Sequence, residues 1–200
     1  MSSRGARWRD TEDDDLLLGS TTNSRWSYAC SKAMGEYLAL AYVRERELPV
    51  VIVRLFNTVG VRQVGRYGMV LPTFIRQGLA GRDITVYGSG EQTRCFADVS
   101  EVVECLIRLL RCQQARGQVF NVGGDSEISI NQLAERVRQL TGGRSRIAHL
   151  SYQEAYAEGF EDLGRRIPDL HKLERAIGFR PSASIGTIIR RIIDHERGRC

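Results

Sequence analysis

Tyr28 and Lys32 stand four residues apart in the run Ser24-Arg25-Trp26-Ser27-Tyr28-Ala29-Cys30-Ser31-Lys32. On a helix this spacing puts both side chains on one face, so the phenol and the ammonium point at the same small volume. An unperturbed tyrosine has a pKa of about 10 and is a poor base at neutral pH, but a cation beside it favours the phenolate. A tyrosine so placed can take or give a proton. The same spacing also fits an ordinary exposed helix face, so the pair needs support from its surroundings.

The elements that would position the pair can be read from the pattern around it. From Arg25 to about Arg46, Met34, Leu38, Ala41 and Tyr42 recur at helical spacing, with Ser24 as the cap and Pro49 beyond the end. Pro49 to Phe56 is β-branched and almost continuously apolar, the pattern of a strand buried on both faces of a parallel sheet. Asn57 to Gln63 then falls at that strand's carboxyl end, where open α/β sheets bind ligands. Further on, the spacing indicates helices over Leu71–Gly81, Val99–Leu110, Ile130–Thr141 and Ser184–Glu196, with strands over Asp83–Gly88 and Gln118–Gly124. In Val99–Leu110 the apolar set is Val102, Val103, Leu106, Ile107 and Leu110. Ser129 reads as a helix cap, and Asp169 as a cap for the short helix after it.

Composition narrows the class. The chain has 200 residues, 42% hydrophobic and 26% charged, as in an ordinary globular protein. Its net charge of +5 comes almost wholly from arginine, Lys32 and Lys172 being the two lysines. Arginine's planar fork suits phosphate, and the charges are scattered with no zinc-finger, basic-zipper or aromatic RNA-binding signature. A phosphorylated small molecule fits this better than nucleic acid. The five cysteines have neither C-x-x-C nor metal-ligand spacing, which reads as reduced thiols of a cytoplasmic protein with no metal site. No apolar run is long enough to span a membrane.

Several stretches together resemble the extended short-chain dehydrogenase/reductase family, the NAD-dependent epimerases, dehydratases and decarboxylases of nucleotide sugars. The Tyr28 helix resembles that family's active-site helix. Arg54-Leu55-Phe56-Asn57-Thr58-Val59-Gly60-Val61-Arg62-Gln63 is similar to its R-x-F-N-x-x-G-P-R-Q element, with Val61 in place of proline. Gly88 to Val99 resembles G-x-G-x-Q-x-R-x-F-x-x-V, Arg166 to Asp169 the R-x-P-D element, and Ile177 to Pro181 the L-G-[WF]-x-P turn. The resemblance implies that Tyr28 is the acid/base, and that Lys32 binds the nicotinamide ribose while favouring the tyrosinate, so that both contact NAD. It implies that Asn57, Arg94 and Arg166 reach the diphosphate, nucleotide or sugar of a UDP-sugar, with Arg62 nearby.

The implied fold is α/β: an incomplete Rossmann-like parallel sheet with a smaller C-terminal α/β substrate domain. Residues 1–24 would be an acidic, partly irregular lead-in, 25–68 a remnant of the NAD-binding domain, and 69–200 the substrate-binding domain, with some segments returning to the first. The glycine-rich loop that seats a dinucleotide pyrophosphate is not recognised in the sequence; Gly88-x-Gly90 lacks the third glycine and the strand-to-helix order. The expectation is therefore of a truncated C-terminal part of the family's chain, inactive alone, whose open sheet edge is covered by a second copy or by a missing N-terminal half. Two other readings stay open: a catalytically silent nucleotide-sugar-binding or assembly module, and a UDP-glucuronate decarboxylase.

Overall fold

The computed structural model describes residues 9–23, 25–65, 69–151 and 165–198. The order is α1 (Arg25–Arg46), β1 (Ile52–Leu55), β2 (Thr58–Val59), α2 (Val70–Leu79), β3 (Ile84–Tyr87), β4 (Thr93–Cys95), β5 (Ala97–Asp98) and α3 (Val99–Arg111). After it come β6 (Val119–Val122), β7 (Glu127–Ser129), α4 (Ile130–Leu140), β8 (Ile147–Leu150), α5 (His171–Ile177) and α6 (Ile185–Arg197). The fold is α/β, as expected, but its strands form four separate pairs. Pairs β1–β6, β2–β5 and β3–β8 are parallel, and β4–β7 is antiparallel.

Local sequence accounts for most of these elements. Ser129 opens α4 with a capping box: its hydroxyl accepts from the Gln132 N–H while the Gln132 side chain accepts from the Ser129 N–H. Ser184 caps α6 in the same sense, through the Thr187 N–H at 3.2 Å. Asp169 is not the N-cap of α5, which is Leu170, but its carboxylate accepts from the N–H of the first helical residue, His171, at 2.9 Å. The Ser24 cap lies outside the described residues.

Two apolar clusters hold these elements. One packs α2, β3, α4 and α6 through Phe74, Ile84, Leu133, Val137, Ile188 and Ile189. The other packs α3, β6 and α5 through Val102, Cys105, Leu109, Phe120, Leu170 and Leu173. The clusters interleave along the sequence, and β6 pairs with β1, so they do not mark off a smaller C-terminal domain.

Two expectations need correction. The strand β1 is half-buried rather than covered on both faces, and Leu55 at its end is 53% exposed. Among the described residues its one strand neighbour is β6, so a near-continuous apolar run is not matched by burial. In α3 the buried stripe is Val102, Cys105 and Leu109, while Val103, Leu106, Ile107 and Leu110 face outward. The lead-in is irregular as expected, and exposed over residues 13–22, but its start is anchored. The Asp10 N–H donates to the Ile167 carbonyl at 2.7 Å, and the Asp10 carbonyl accepts from the Asp169 N–H at 2.8 Å and the Asn121 amide at 2.9 Å. Glu12 accepts from the Asn121 N–H at 2.8 Å, which lays the lead-in against the end of β6.

One buried carboxylate joins the two clusters. Asp98, 4% exposed, caps α3 by accepting from the Ser100 N–H and hydroxyl at 2.8 and 2.6 Å, and it accepts from Arg191 of α6 at 2.9 Å. Burial opposes its charge, but the Ser100 bonds and the Arg191 guanidinium outweigh burial and hold the carboxyl below the usual carboxylate range. A carboxyl whose pKa is lowered by folding adds stability above its unfolded value of about 3.9, and loses it as pH falls through the folded value. Arg191 is half exposed, so most of the effect comes from the cap. Asp98→Ala is expected to cost about 2–3 kcal/mol at neutral pH. Urea melts should show the gap closing below about pH 4; a gap that persists undiminished there would exclude the carboxylate as its source.

Candidate active site

The direction of α1 follows from two contacts. Glu36 meets Arg54 of β1, and a Cβ on Gly117, whose N–H donates to the Val50 carbonyl at 2.7 Å, would stand 3.1 Å from Val43. Rising numbers in α1 therefore match falling numbers in β1, and the helix runs antiparallel to the strand. From Glu36 back to Tyr28 is about 12 Å of helix, and from Arg54 on to Asn57 about 10 Å of extended chain. The antiparallel direction thus turns the Tyr28 end of α1 toward the carboxyl end of β1.

Tyr28 is 69% exposed, and the Lys32 ammonium sits 5.4 Å from its ring centroid. The pair that the spacing suggested is formed. The Ser31 hydroxyl donates to the Tyr28 carbonyl at 2.8 Å and leaves the phenol out of that bond.

Beyond β1 the other residues gather around Phe56 and Asn57. Asn57 takes a positive φ of 30°, and its amide donates to the Cys95 carbonyl at 2.9 Å, which joins this turn to β4 beside Arg94. Arg94 is half-buried and its guanidinium donates to the Thr93 carbonyl at 2.7 Å. The Arg166 guanidinium lies over the Phe56 ring, 5.1 Å from its centroid. A Cβ on Gly123 would come within 2.6 Å of the Phe56 Cβ, and one on Gly124 would land on the Phe96 carbonyl oxygen. These two glycines let the β6 turn close against both phenylalanines.

Arg62 is the exception. It has a φ of 67° and an exposed side chain, and among the described residues no contact joins it to the other five.

The sequence reading missed several residues that frame this group. Asp10 sits beside Arg166; burial pushes its carboxyl up, and the Arg166 charge counters this. Arg165 forks onto Glu127 at 2.7 and 2.6 Å, and Glu127 also accepts from the Thr93 hydroxyl at 2.8 Å. Thr93 and Glu127 lie on the face of the β4–β7 ribbon opposite to Arg94, since strand side chains alternate. The acidic lead-in was the available signal for Asp10, but its partners are more than a hundred residues away. Among the described residues no group of His, Cys, Asp or Glu could hold a metal ion, and no helix is long and apolar enough to cross a membrane.

Parallel strand pairs, a tyrosine–lysine helix and arginines near the turn after β1 place the chain in the α/β class. Residues 5–123 match the profile described as the NAD dependent epimerase/dehydratase family, and the chain belongs to that family. It is 43% identical over 175 residues to a UDP-N-acetyl-alpha-D-glucosaminuronate decarboxylase of Bacillus cytotoxicus, covering 87% of this chain and 54% of the relative. It is 35% identical over 173 residues to UDP-glucuronic acid decarboxylase 1 of Xenopus tropicalis, covering 86% of this chain and 39% of the relative. Among solved structures, the Bordetella bronchiseptica enzyme WbmF in complex with NAD+ and UDP is 27% identical with a TM-score of 0.75, covering 91% of this chain and 56% of that one. The chain spans between about a third and a little over half of the length of the curated relatives it matches, 54% of the first and 39% of the second.

The family match corrects the expectation of a C-terminal remnant lacking the N-terminal cofactor loop. The match starts at residue 5, ahead of the point where the motif resemblance begins. The described start of the lead-in, at Asp10 and Glu12, is hydrogen-bonded to β6 and to the Ile167–Asp169 segment.

Proposed function

We propose that the chain acts on a nucleotide sugar, a UDP-sugar, as an NAD-dependent enzyme of the epimerase/dehydratase type with Tyr28 as its acid/base. The observation that carries this is the Tyr28–Lys32 pair, exposed on one face of α1, at the helix end that the antiparallel direction turns toward the carboxyl end of β1. An exposed phenol and a cation there fit the nicotinamide end of the cofactor. When bound, NAD supplies the oxidant that removes hydride from a sugar carbon and returns it. Tyr28 takes the proton of the sugar hydroxyl as the carbonyl forms, and gives it back when the carbonyl is reduced. Lys32 donates to the cofactor ribose and keeps positive charge beside the phenol. Asn57, Arg94 and Arg166 hold the diphosphate, whose oxygens accept from amide and guanidinium donors, with Arg62 at the rim.

In this reading residues 25–68 carry the acid/base helix, and 69–200 carry most of the substrate-binding part, with β6 returning to pair with β1. Among the reactions open to a keto-sugar, decarboxylation of a UDP-uronate is favoured by the 43% identity to a decarboxylase of such a substrate. The carbon–carboxyl bond then breaks with its electron pair held by the neighbouring ketone, and the ring carbon is reprotonated.

The test is to incubate the chain with NAD and either UDP-glucuronate or its 2-acetamido analogue, and to follow CO2 release and transfer of label from a deuterated sugar carbon. Label transfer with CO2 is the expected result. Label transfer without CO2 would keep the acid/base role and assign an epimerisation. Binding of the UDP-sugar with no transfer at saturating NAD would make the chain a silent binding module and overturn the proposal.

A further inference from the structure

Tyr28, Lys32 and Glu36 follow one another at four-residue intervals, so they form one stripe along α1. The third member is the one fixed to the strand. Arg54 donates from Nε to one Glu36 oxygen at 2.9 Å and from Nη2 to the other at 2.8 Å, a two-pronged fork. Its remaining prong, Nη1, donates to the Glu12 carbonyl at 3.2 Å. Glu12 in turn accepts from the Asn121 N–H of β6. One guanidinium therefore ties together the helix, strand β1 and the lead-in, which itself is bonded to β6.

We propose that Glu36 and Arg54 are a positioning pair that sets the rotation of α1, and thereby the place of Tyr28 and Lys32. The inference rests on the acid/base reading of that pair. Met34, Tyr37, Leu38 and Tyr42 are exposed, and the face turned inward beside Glu36 carries Ala29, Ala33, Leu40 and Val43, all half-buried and none fully buried, so apolar packing alone sets the rotation of the helix loosely. A fork that engages both carboxylate oxygens fixes angle as well as distance, which a single hydrogen bond does not. The lever is long. Turning a helix of 5–6 Å side-chain radius by about 30° moves its side-chain tips roughly 3 Å, whereas a misplacement of about 1 Å can cost a hundredfold in rate. Glu36 touches no reacting group; it acts through the helix.

The two lysines provide a direct readout. Reductive dimethylation with 13C-formaldehyde labels Lys32, Lys172 and the α-amino group and preserves their charges. Lys32 lies over Tyr28 and Lys172 lies 5.2 Å from the Phe120 ring centroid, so each signal reports one ring, and Lys172 serves as an internal control. Tyr28→Leu gives the Lys32 position with the ring removed. In Glu36→Gln and Arg54→Gln the Lys32 signal should move at least halfway to that position while the Lys172 signal stays. The exchanged pair Glu36→Arg with Arg54→Glu should bring the signal back. In turnover, Glu36→Gln should lower kcat 10- to 100-fold with KM within twofold of the parent. A stationary Lys32 signal in a folded Glu36→Gln protein would overturn the positioning role, as would equal movement of Lys32 and Lys172, which would mean general loosening. Full turnover in Tyr28→Phe would instead remove the acid/base reading, so the two failures are told apart.

Discussion

Replacing Tyr28 by phenylalanine is expected to lower turnover of a UDP-sugar by about 10²–10⁴-fold, the range for loss of a positioned general acid/base. Stability should change by less than about 0.5 kcal/mol, because the side chain is 69% exposed and the substitution removes one solvated hydroxyl. That contrast gives the prediction its force. A structural tyrosine would lose stability and activity together, whereas a proton-transfer group loses kcat alone. KM should stay within about threefold, since the proposed reading puts the diphosphate elsewhere, on Asn57, Arg94 and Arg166. The measurement is steady-state turnover beside a urea melt of the same preparation. Turnover within threefold of the parent would remove Tyr28 from the chemistry.

Much of this site was legible because its residues lie in local patterns. A four-residue spacing inside a helix forms its own pair, so Tyr28 and Lys32 meet without help from tertiary structure. Caps are equally local: Ser129 reads as one and its side chain reaches the third residue of the helix, whereas Ser184, which reads as the first residue of its helix, is in fact the cap. What the sequence did not reveal depends on distant partners. In α3 both Val102-Cys105-Leu109 and Val103-Leu106-Ile107-Leu110 keep helical spacing, and only the arrangement of β6 and α5 decides which stripe is buried. The bridge from Asp10 to Pro168 and the pairing of β3 with β8 join segments that no short-range pattern connects. The fork between Glu36 and Arg54 lies between these cases. Both residues occur in stretches that drew attention, but the bond appears only once the helix is laid antiparallel on the strand.

The largest effect on stability is expected at Phe120. Its ring is 1% exposed at the centre of β6, opposite Val53 of β1, among Val102, Cys105 and Leu109 of α3, Leu173 of α5 and Leu170 just before it. Phe120→Ala removes that contact set and leaves a cavity that four separate elements would have to move to fill. Such truncations cost about 3–5 kcal/mol, a large part of the 5–15 kcal/mol typical of a whole domain. The Lys172 ammonium over the ring adds about 0.5–1 kcal/mol to the loss. In urea the midpoint should fall by roughly 1–2 M. Leu110→Ala, at a position 80% exposed on the same cluster's helix, should cost under about 0.5 kcal/mol. The damage should also reach the site. Asn121 next to Phe120 holds the lead-in, and Gly123 and Gly124 set Phe56 and Phe96 behind Asn57. Amide exchange at Val53 and Leu55 should therefore quicken in Phe120→Ala under native conditions, ahead of any change at Leu133 in the other cluster. A cost below about 1 kcal/mol, or equal quickening in both clusters, would mean that the β1–β6 pair does not rest on this ring.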